Sequence, residues 1–169
     1  MRTPFRNTRL VLLVGLVLIA VTLSACAPAA SGGISCAETY LQHLIDKNYH
    51  EAYALLSDYD KQNIPEDLYL RWREAVAQVI TIESAEVNTS VDKFPDYKYQ
   101  GTAIGYALGL KISREQETKM GGIELDGYNQ PAYRQMVVYE NDQWKMLLLL
   151  SDLEVTVAGY EAFLKPAAR

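Results

Sequence analysis

The two cysteines of this 169-residue chain carry its most nucleophilic side chains, because a thiolate attacks acyl and lipid donors. Cys26 ends an apolar run and follows two small residues, which give an enzyme access to the backbone there. Cys36 lies in Ser35-Cys36-Ala37-Glu38, a pattern typical of a helix-capping box with Ser35 as N-cap. A helix N-terminus lowers the pKa of a thiol, but no histidine lies near Cys36 in sequence to act as a base. We therefore interpret Cys36 as a small packed residue.

The segment that ends at Cys26 has the order of a processing signal. Three arginines precede the apolar run Leu10–Leu23, which is shorter than the about 20 residues of a membrane-spanning helix. With Leu23-Ser24-Ala25-Cys26 after it, the segment resembles the signal of bacterial lipoproteins. The resemblance implies cleavage between Ala25 and Cys26 and lipidation of Cys26 with palmitate-type chains. An uncleaved anchor and free secretion are the alternatives that the short run and the cysteine argue against.

This signal predicts the organisation of the chain and its location. Residues 1–25 are predicted to be a signal peptide, residues 26–34 a lipidated flexible tether, and residues 35–169 a single domain. Several acyl chains hold a protein firmly where one is marginal, so we expect lipid anchoring on a membrane, facing outside the cytoplasm.

Net charge limits the partners of the domain. The chain carries −5, and because its first 25 residues contain three arginines and no acid, the rest carries −8. An acidic domain without a basic stripe argues against nucleic acid and against electrostatic docking on anionic lipid. We therefore expect the membrane to be a partner through the lipid alone.

Hydrophobic periodicity predicts helices first and strands afterwards. Apolar residues at helical spacing predict a helix over Cys36–Lys47, a short one over Tyr49–Leu56 and a third that starts at Pro65. The period then changes from 3.6 to 2. The predicted strands are Ile82–Val91, Tyr97–Ser113, Tyr133–Tyr139 and Gln143–Leu150, the last two joined by a tight turn. The tail reads either as a strand over 153–157 or as a helix, and a short helix is predicted over Gly159–Lys165.

Two strands have unusual faces. One face of Tyr97–Ser113 is large and apolar, and the other is nearly bare over Gly101 to Lys111. A bare face permits close approach of another backbone, so we expect a homodimer through the sheet. Met146–Leu150 is apolar on both faces, which predicts an interior strand.

This order of elements predicts an α+β domain with N-terminal helices packed on one face of a curved antiparallel sheet. The stretch Ala37–Trp72, with its step Asn48–Ser57, and the pair Trp144-Lys145 resemble extracytoplasmic members of the nuclear-transport-factor-two-like superfamily. That group has a cone-shaped, cystatin-like α+β roll. The resemblance implies a pocket inside the cone, which some members use for small apolar ligands or for isomerase and hydratase chemistry.

Aromatic residues are the candidates for lining that pocket. The chain has twelve tyrosines, and the helical and alternating positions that suit a pocket also suit a plain core. The candidate pocket-lining residues are Tyr53, Trp72, Tyr106, Tyr139 and Trp144. We predict no metal site and no cofactor, because ligand spacing and glycine-rich phosphate loops are missing.

Function is predicted from what catalysis would require. Isomerase or hydratase chemistry needs an inward-pointing base, and both histidines, His43 and His50, are predicted at the surface or boundary. We therefore expect a non-catalytic binding or interaction domain of the cell envelope, whose partner is an envelope protein, a wall component or a small apolar ligand. The alternative is a small isomerase- or hydratase-like enzyme acting on an apolar ligand in the cone.

Overall fold

Helices and strands follow each other in the predicted order. The structure is a computed structural model that describes residues 28–118, 132–150 and 152–164. It is an α+β arrangement in which helices precede a curved, four-stranded antiparallel sheet that does not close into a barrel. No helix within these described ranges is long and apolar enough to span a membrane. The predicted fold class is confirmed.

Five helices are described. Their bounds are α1 Ala30–Ile45, α2 Tyr49–Ala54, α3 Asp58–Asn63, α4 Glu66–Val79 and α5 Leu153–Leu164. Helix α4 begins directly after Pro65, whose fixed φ suits a helix start, and Glu66 and Asp67 complement the helix dipole. Helix α3 was not predicted. Helix α5 begins at Leu153, six residues before the predicted start at Gly159. This earlier start lets Leu153, Val157 and Tyr160 bury one face of the helix.

The four strands form a meander in the order β1-β2-β3-β4. Their bounds are β1 Ile80–Tyr99, β2 Thr102–Thr118, β3 Ala132–Glu140 and β4 Gln143–Leu147. Helix α1 contacts all four strands, so it covers the inner face of the sheet. Leu108, Leu110 and Ile112 of β2 point into the fully buried core beneath it.

The first helix begins earlier than predicted. It starts at Ala30, so Ser35 lies inside the helix and does not cap it, and the N-cap position belongs to Ala29. Residues 30–34 of the predicted tether are therefore helical. A close approach explains this start, because a Cβ added at Gly32 would lie 2.6 Å from Cδ1 of Trp144. The first turn packs directly on the sheet.

The predicted strand Tyr97–Ser113 is two strands. The chain turns at Gln100 and Gly101, both with positive φ, and β1 pairs with β2 from Tyr99 opposite Thr102. Gly101, the first position of the predicted bare face, therefore lies in the turn, and the remaining positions up to Lys111 lie on β2. Gly109 is covered in part, since a Cβ added there would lie 3.3 Å from Cε2 of Phe94.

The last strand occupies the edge of the sheet and not its interior. It ends at Leu147, before the predicted Leu150. The segment before α3 covers its free edge: the Ser57 N–H donates to the Met146 carbonyl at 2.8 Å, and the Met146 N–H donates to the Leu55 carbonyl at 2.9 Å. That cover explains why Met146 and Leu147 are apolar and buried in an edge strand.

Candidate functional site

The predicted pocket-lining aromatics fall into two packed clusters. On the helices, the ring of Tyr69 lies between Tyr53 and Trp72, with ring centroids 5.4 Å and 5.7 Å apart. Trp72 is 1% exposed and Tyr69 is fully buried, so these rings belong to the hydrophobic core. Tyr53 is half-buried and donates its hydroxyl to the Ile64 carbonyl at 2.9 Å.

The second cluster lies on the sheet. Trp144 of β4 contacts Tyr139 and Tyr106, with ring centroids 5.3 Å and 5.9 Å apart. All three are half-buried, and the first turn of α1 packs on the indole of Trp144 through Gly32. This cluster therefore anchors the start of the fold.

Tyrosine hydroxyls and guanidinium groups meet in the buried layer between helices and sheet. The hydroxyls of Tyr40 and Tyr69 are 3.0 Å apart, and burial raises the pKa of Tyr40 well above its ordinary value. The guanidinium of Arg73, itself 4% exposed, stacks on Trp72 at 5.0 Å and opposes that rise. The Tyr40 phenol therefore stays neutral at physiological pH and acts as a hydrogen-bonding group.

A second arginine repeats this arrangement on the sheet. The guanidinium of Arg114, which is 7% exposed, lies 4.8 Å from the ring centroid of Tyr133. Burial raises the pKa of Tyr133, and the charge of Arg114 opposes the rise. Cation–π contacts of this kind are worth about 2 kcal/mol when desolvated, so these arginines contribute to the packing of the core.

Asp60 is the buried carboxylate of the described residues, and sequence reasoning missed its role. It is 1% exposed and accepts hydrogen bonds from the Leu148 N–H at 2.8 Å, the Leu149 N–H at 3.0 Å and the Ser57 hydroxyl at 2.8 Å. Burial raises the pKa of Asp60, and these bonds oppose the rise. Asp60 therefore clamps α3 to the segment after β4. Ser57 caps α3 by accepting from the Asp60 N–H, a pattern that was visible in the sequence.

The thiol of Cys36 is buried, whereas the two imidazoles are at least partly exposed. Cys36 is buried and donates to the Trp144 carbonyl at 3.2 Å, and burial raises the pKa of its thiol to about 11. His50 is exposed and lies 2.8 Å from Glu66, while His43 is half-buried. The described residues hold no group of histidine, cysteine and carboxylate side chains suited to a metal ion.

An open cleft lies on the outer face of the sheet, opposite the helices. It has a volume of about 260 Å³, and its lining residues are Asn88, Ser90, Asp92, Gly109, Lys111 and Arg134. A bulge lies beside the cleft between Val87 and Val91, where β1 contains more residues than the stretch of β2 that pairs with it. Arg134 pairs with Asp92 at 3.0 Å across the cleft.

The side chains that line the cleft are polar or charged, apart from Gly109. Lys111 and Arg134 supply cationic donors, and Asp92 supplies an acceptor that pairs with Arg134. The sequence marked Gly109 and Lys111 as part of a bare face but gave no sign of the cleft, because a bulge depends on strand pairing. Homodimerisation through this face stays a prediction.

Comparisons of the chain with protein-family models, with curated proteins and with solved structures gave no match in any of the three. The resemblance to the nuclear-transport-factor-two-like superfamily stays a prediction. The signal-peptide and lipidation predictions concern Ala25 and Cys26, which lie outside the described residues.

Proposed function

We propose that the protein is a membrane-tethered, extracytoplasmic lipoprotein whose domain binds a partner without catalysis. The signal-like segment up to Cys26 supports the tether. One structural observation supports binding at the outer face: an accessible cleft within the described residues is lined by polar side chains around Lys111 and Arg134, whereas large side chains such as Trp72 and Leu108 are buried in the core.

The enzyme alternative has less support. It required an acid or a histidine projecting into an apolar pocket beside Tyr53 or Tyr106. Among the described residues the buried carboxylate is Asp60, and its oxygens accept three hydrogen bonds that hold the fold together. The polar lining of the cleft favours an envelope protein or a wall component over a small apolar ligand.

Lipidation is tested by metabolic labelling of producing cells with a palmitate analogue. The wild-type protein should incorporate the label and shorten by the signal peptide. The Cys26→Ala variant should stay unprocessed and unlabelled. Continued labelling of this variant contradicts the tether.

Partner binding is tested by cross-linking and pull-down from intact cells that carry the full chain with its native tether. The double variant Lys111→Gln with Arg134→Gln should lose most of the partner recovered with the wild type. Lys47→Gln is the matched control, since Lys47 is an exposed lysine that follows α1 and does not line the cleft. Equal recovery with all three proteins refutes the cleft as the binding site.

A further inference from the structure

Two cations, Lys111 and Arg134, stand directly opposite each other on the outer face of the sheet. They form a cross-strand pair between β2 and β3. Like charges in directly opposite positions destabilise a sheet, so this placement does not favour the pairing of the two strands. The domain as a whole is acidic, because the chain after residue 25 carries −8, so the pair does not belong to a generally basic surface. A ligand of opposite charge would remove the repulsion between the two side chains.

One carboxylate of the fold already binds part of this pair. Arg134 reaches across β2 to Asp92 of β1, and Nη1 of the guanidinium lies 3.0 Å from Oδ2 of the carboxylate. The side chain of Arg134 is nevertheless 68% exposed and that of Asp92 is 55% exposed. A guanidinium has five N–H donors in a planar fork, so a contact to one carboxylate oxygen leaves donors on the exposed side for a second oxyanion.

Lys111 supplies the second cation of the cleft. Its side chain is exposed, and within the part of the chain that the structure describes it takes part in no ion pair. The next acids on this face belong to the neighbouring positions of the β1–β2 ladder. Glu86 lies opposite Ser113, and Glu115 accepts from the Ser84 hydroxyl at 3.1 Å. The ammonium of Lys111 is therefore available to an anion that enters the cleft.

The bulge of β1 adds neutral hydrogen-bonding groups beside these charges. Residues 88–90 stand opposite Lys111 alone. Oδ1 of Asn88 accepts from the Ser90 N–H at 2.8 Å, so the other end of this amide, Nδ2, is a donor. The lining of the cleft, which has a volume of about 260 Å³, thus combines cationic and neutral donors with the single carboxylate of Asp92. Such a donor-rich lining suits a ligand rich in acceptors.

We propose that the cleft recognises a carboxylate of an acidic peptide, held between the ammonium of Lys111 and the exposed side of the Arg134 guanidinium. The inference rests on the proposed function, because it names the chemistry of the partner that the same cleft binds. With Asp92, the lining carries two positive charges and one negative charge, which leaves +1 for the single charge of a carboxylate. A phosphate monoester brings about −1.5 to −2 at pH 7 and would leave excess negative charge beside Asp92.

Asp92 is the competing carboxylate in this arrangement. It occupies donors of Arg134 that the carboxylate of a peptide would otherwise bind, and its charge repels that carboxylate. Removing the charge of Asp92 should therefore strengthen the binding of an acidic peptide, whereas removing the charge of Lys111 should weaken it. The two expected effects have opposite signs, although both residues line the same cleft.

The experiment compares two tripeptides that differ in one charge. Gly-Glu-Gly and Gly-Gln-Gly, both acetylated and amidated at their ends, are titrated at neutral pH into the full-length protein in a zwitterionic detergent. Heteronuclear NMR follows the backbone amides of Gly109 and Lys111 and the Nε–H of Arg134. The Glu peptide should bind about fivefold more tightly than the Gln peptide, and this preference should fall between about 50 mM and about 500 mM NaCl. Equal dissociation constants for the two peptides overturn the inference.

Variants of the charged lining residues provide the second measurement. Lys111→Gln should weaken binding of the Glu peptide by about threefold to fivefold, and Lys111→Arg should restore it. Asp92→Asn should tighten binding by about twofold to fivefold. Glu86→Gln is the matched control for Asp92→Asn, because Glu86 is an exposed acid of β1 that does not line the cleft, and it should change the affinity less than Asp92→Asn does. Equal effects of these two acid-to-amide changes contradict the competing role of Asp92.

The pull-down with Lys111→Gln and Arg134→Gln separates this inference from the proposed function. Loss of the partner from the double variant, together with equal binding of the two tripeptides, supports the cleft as the binding site and refutes carboxylate recognition. Full recovery of the partner with the double variant, together with selective binding of the Glu peptide, refutes the cleft as the partner's site and supports its carboxylate chemistry.

Discussion

Replacing Asp60 with alanine removes an acceptor shared by α3 and the segment after β4. The carboxylate accepts from the Leu148 N–H at 2.8 Å and from the Leu149 N–H at 3.0 Å. A donor left without an acceptor away from water costs about 1–3 kcal/mol, and both amides belong to half-buried residues. With the Ser57 hydroxyl also losing its acceptor, we expect the free energy of unfolding to fall by about 3 kcal/mol. That is a large part of the about 5–15 kcal/mol typical of a domain.

Urea denaturation followed by tryptophan fluorescence measures this loss. With a denaturant slope of about 2 kcal/mol/M, the midpoint should fall by about 1.5 M at an unchanged slope. Gln62→Ala is the matched control, because Gln62 lies in the same short helix but is exposed. It should change the free energy by no more than about 0.5 kcal/mol. Equal midpoints for the two variants would refute the clamp.

The pH dependence gives an independent test of Asp60. Burial raises the pKa of its carboxyl above the unfolded-state value, so the folded protein holds a proton that the unfolded chain has already released. Its contribution to stability is therefore full below the unfolded-state pKa and is lost as pH rises through the folded-state pKa. Asp60→Asn does not titrate. The stability advantage of the wild type over this variant should shrink from about pH 4 upward, and a constant difference would contradict the argument.

Three further variants or reagents test the packing. Gly32→Ala should destabilise the protein by about 1–3 kcal/mol and shift the emission of Trp144, because the new Cβ overlaps the indole; an unfolding midpoint at or above the wild-type value would contradict this contact. Gly159→Ala should instead stabilise by about 0.5–1 kcal/mol in thermal unfolding, since no atom lies within 4 Å of the added methyl in this helix. Cys36, with a thiol pKa of about 11, should react with a disulfide reagent at pH 8 far more slowly in native protein than in urea; equal rates would refute its burial.

Sequence periodicity identified the described helices other than α3, together with the strands, because those elements bury one face, and it identified the β3–β4 turn between two such strands. It did not detect the β1–β2 turn. Thr102 and Ile104 continue the alternation of large and small residues, so Gly101 counted as one more bare position within a strand. The conformation that decides the turn is the positive φ at Gln100 and Gly101, which alternation does not report.

The role of Asp60 shows a different limit. The spacing of Ser57 and Asp60 was a visible N-cap signal, and it would have predicted α3. Nothing in the sequence shows that the carboxylate also accepts from residues 148 and 149, since that contact joins segments far apart in the chain. The predicted aromatic pocket met the same limit, because the spacing that suits a pocket wall also suits packed rings such as Tyr69 and Trp72.

The first turn of α1 shows most directly why a tether and a docked helix look alike in sequence. Gly32 and Gly33 lie in an Ala/Ser/Gly segment whose composition is typical of flexible linkers. Periodicity registers side chains, and a glycine contributes none. Yet the missing Cβ atoms are what let this turn approach Trp144 and Leu108 at distances that alanine would not tolerate. The glycines therefore let the helix begin at Ala30, within the segment whose composition predicted a tether, and dock its first turn on the sheet.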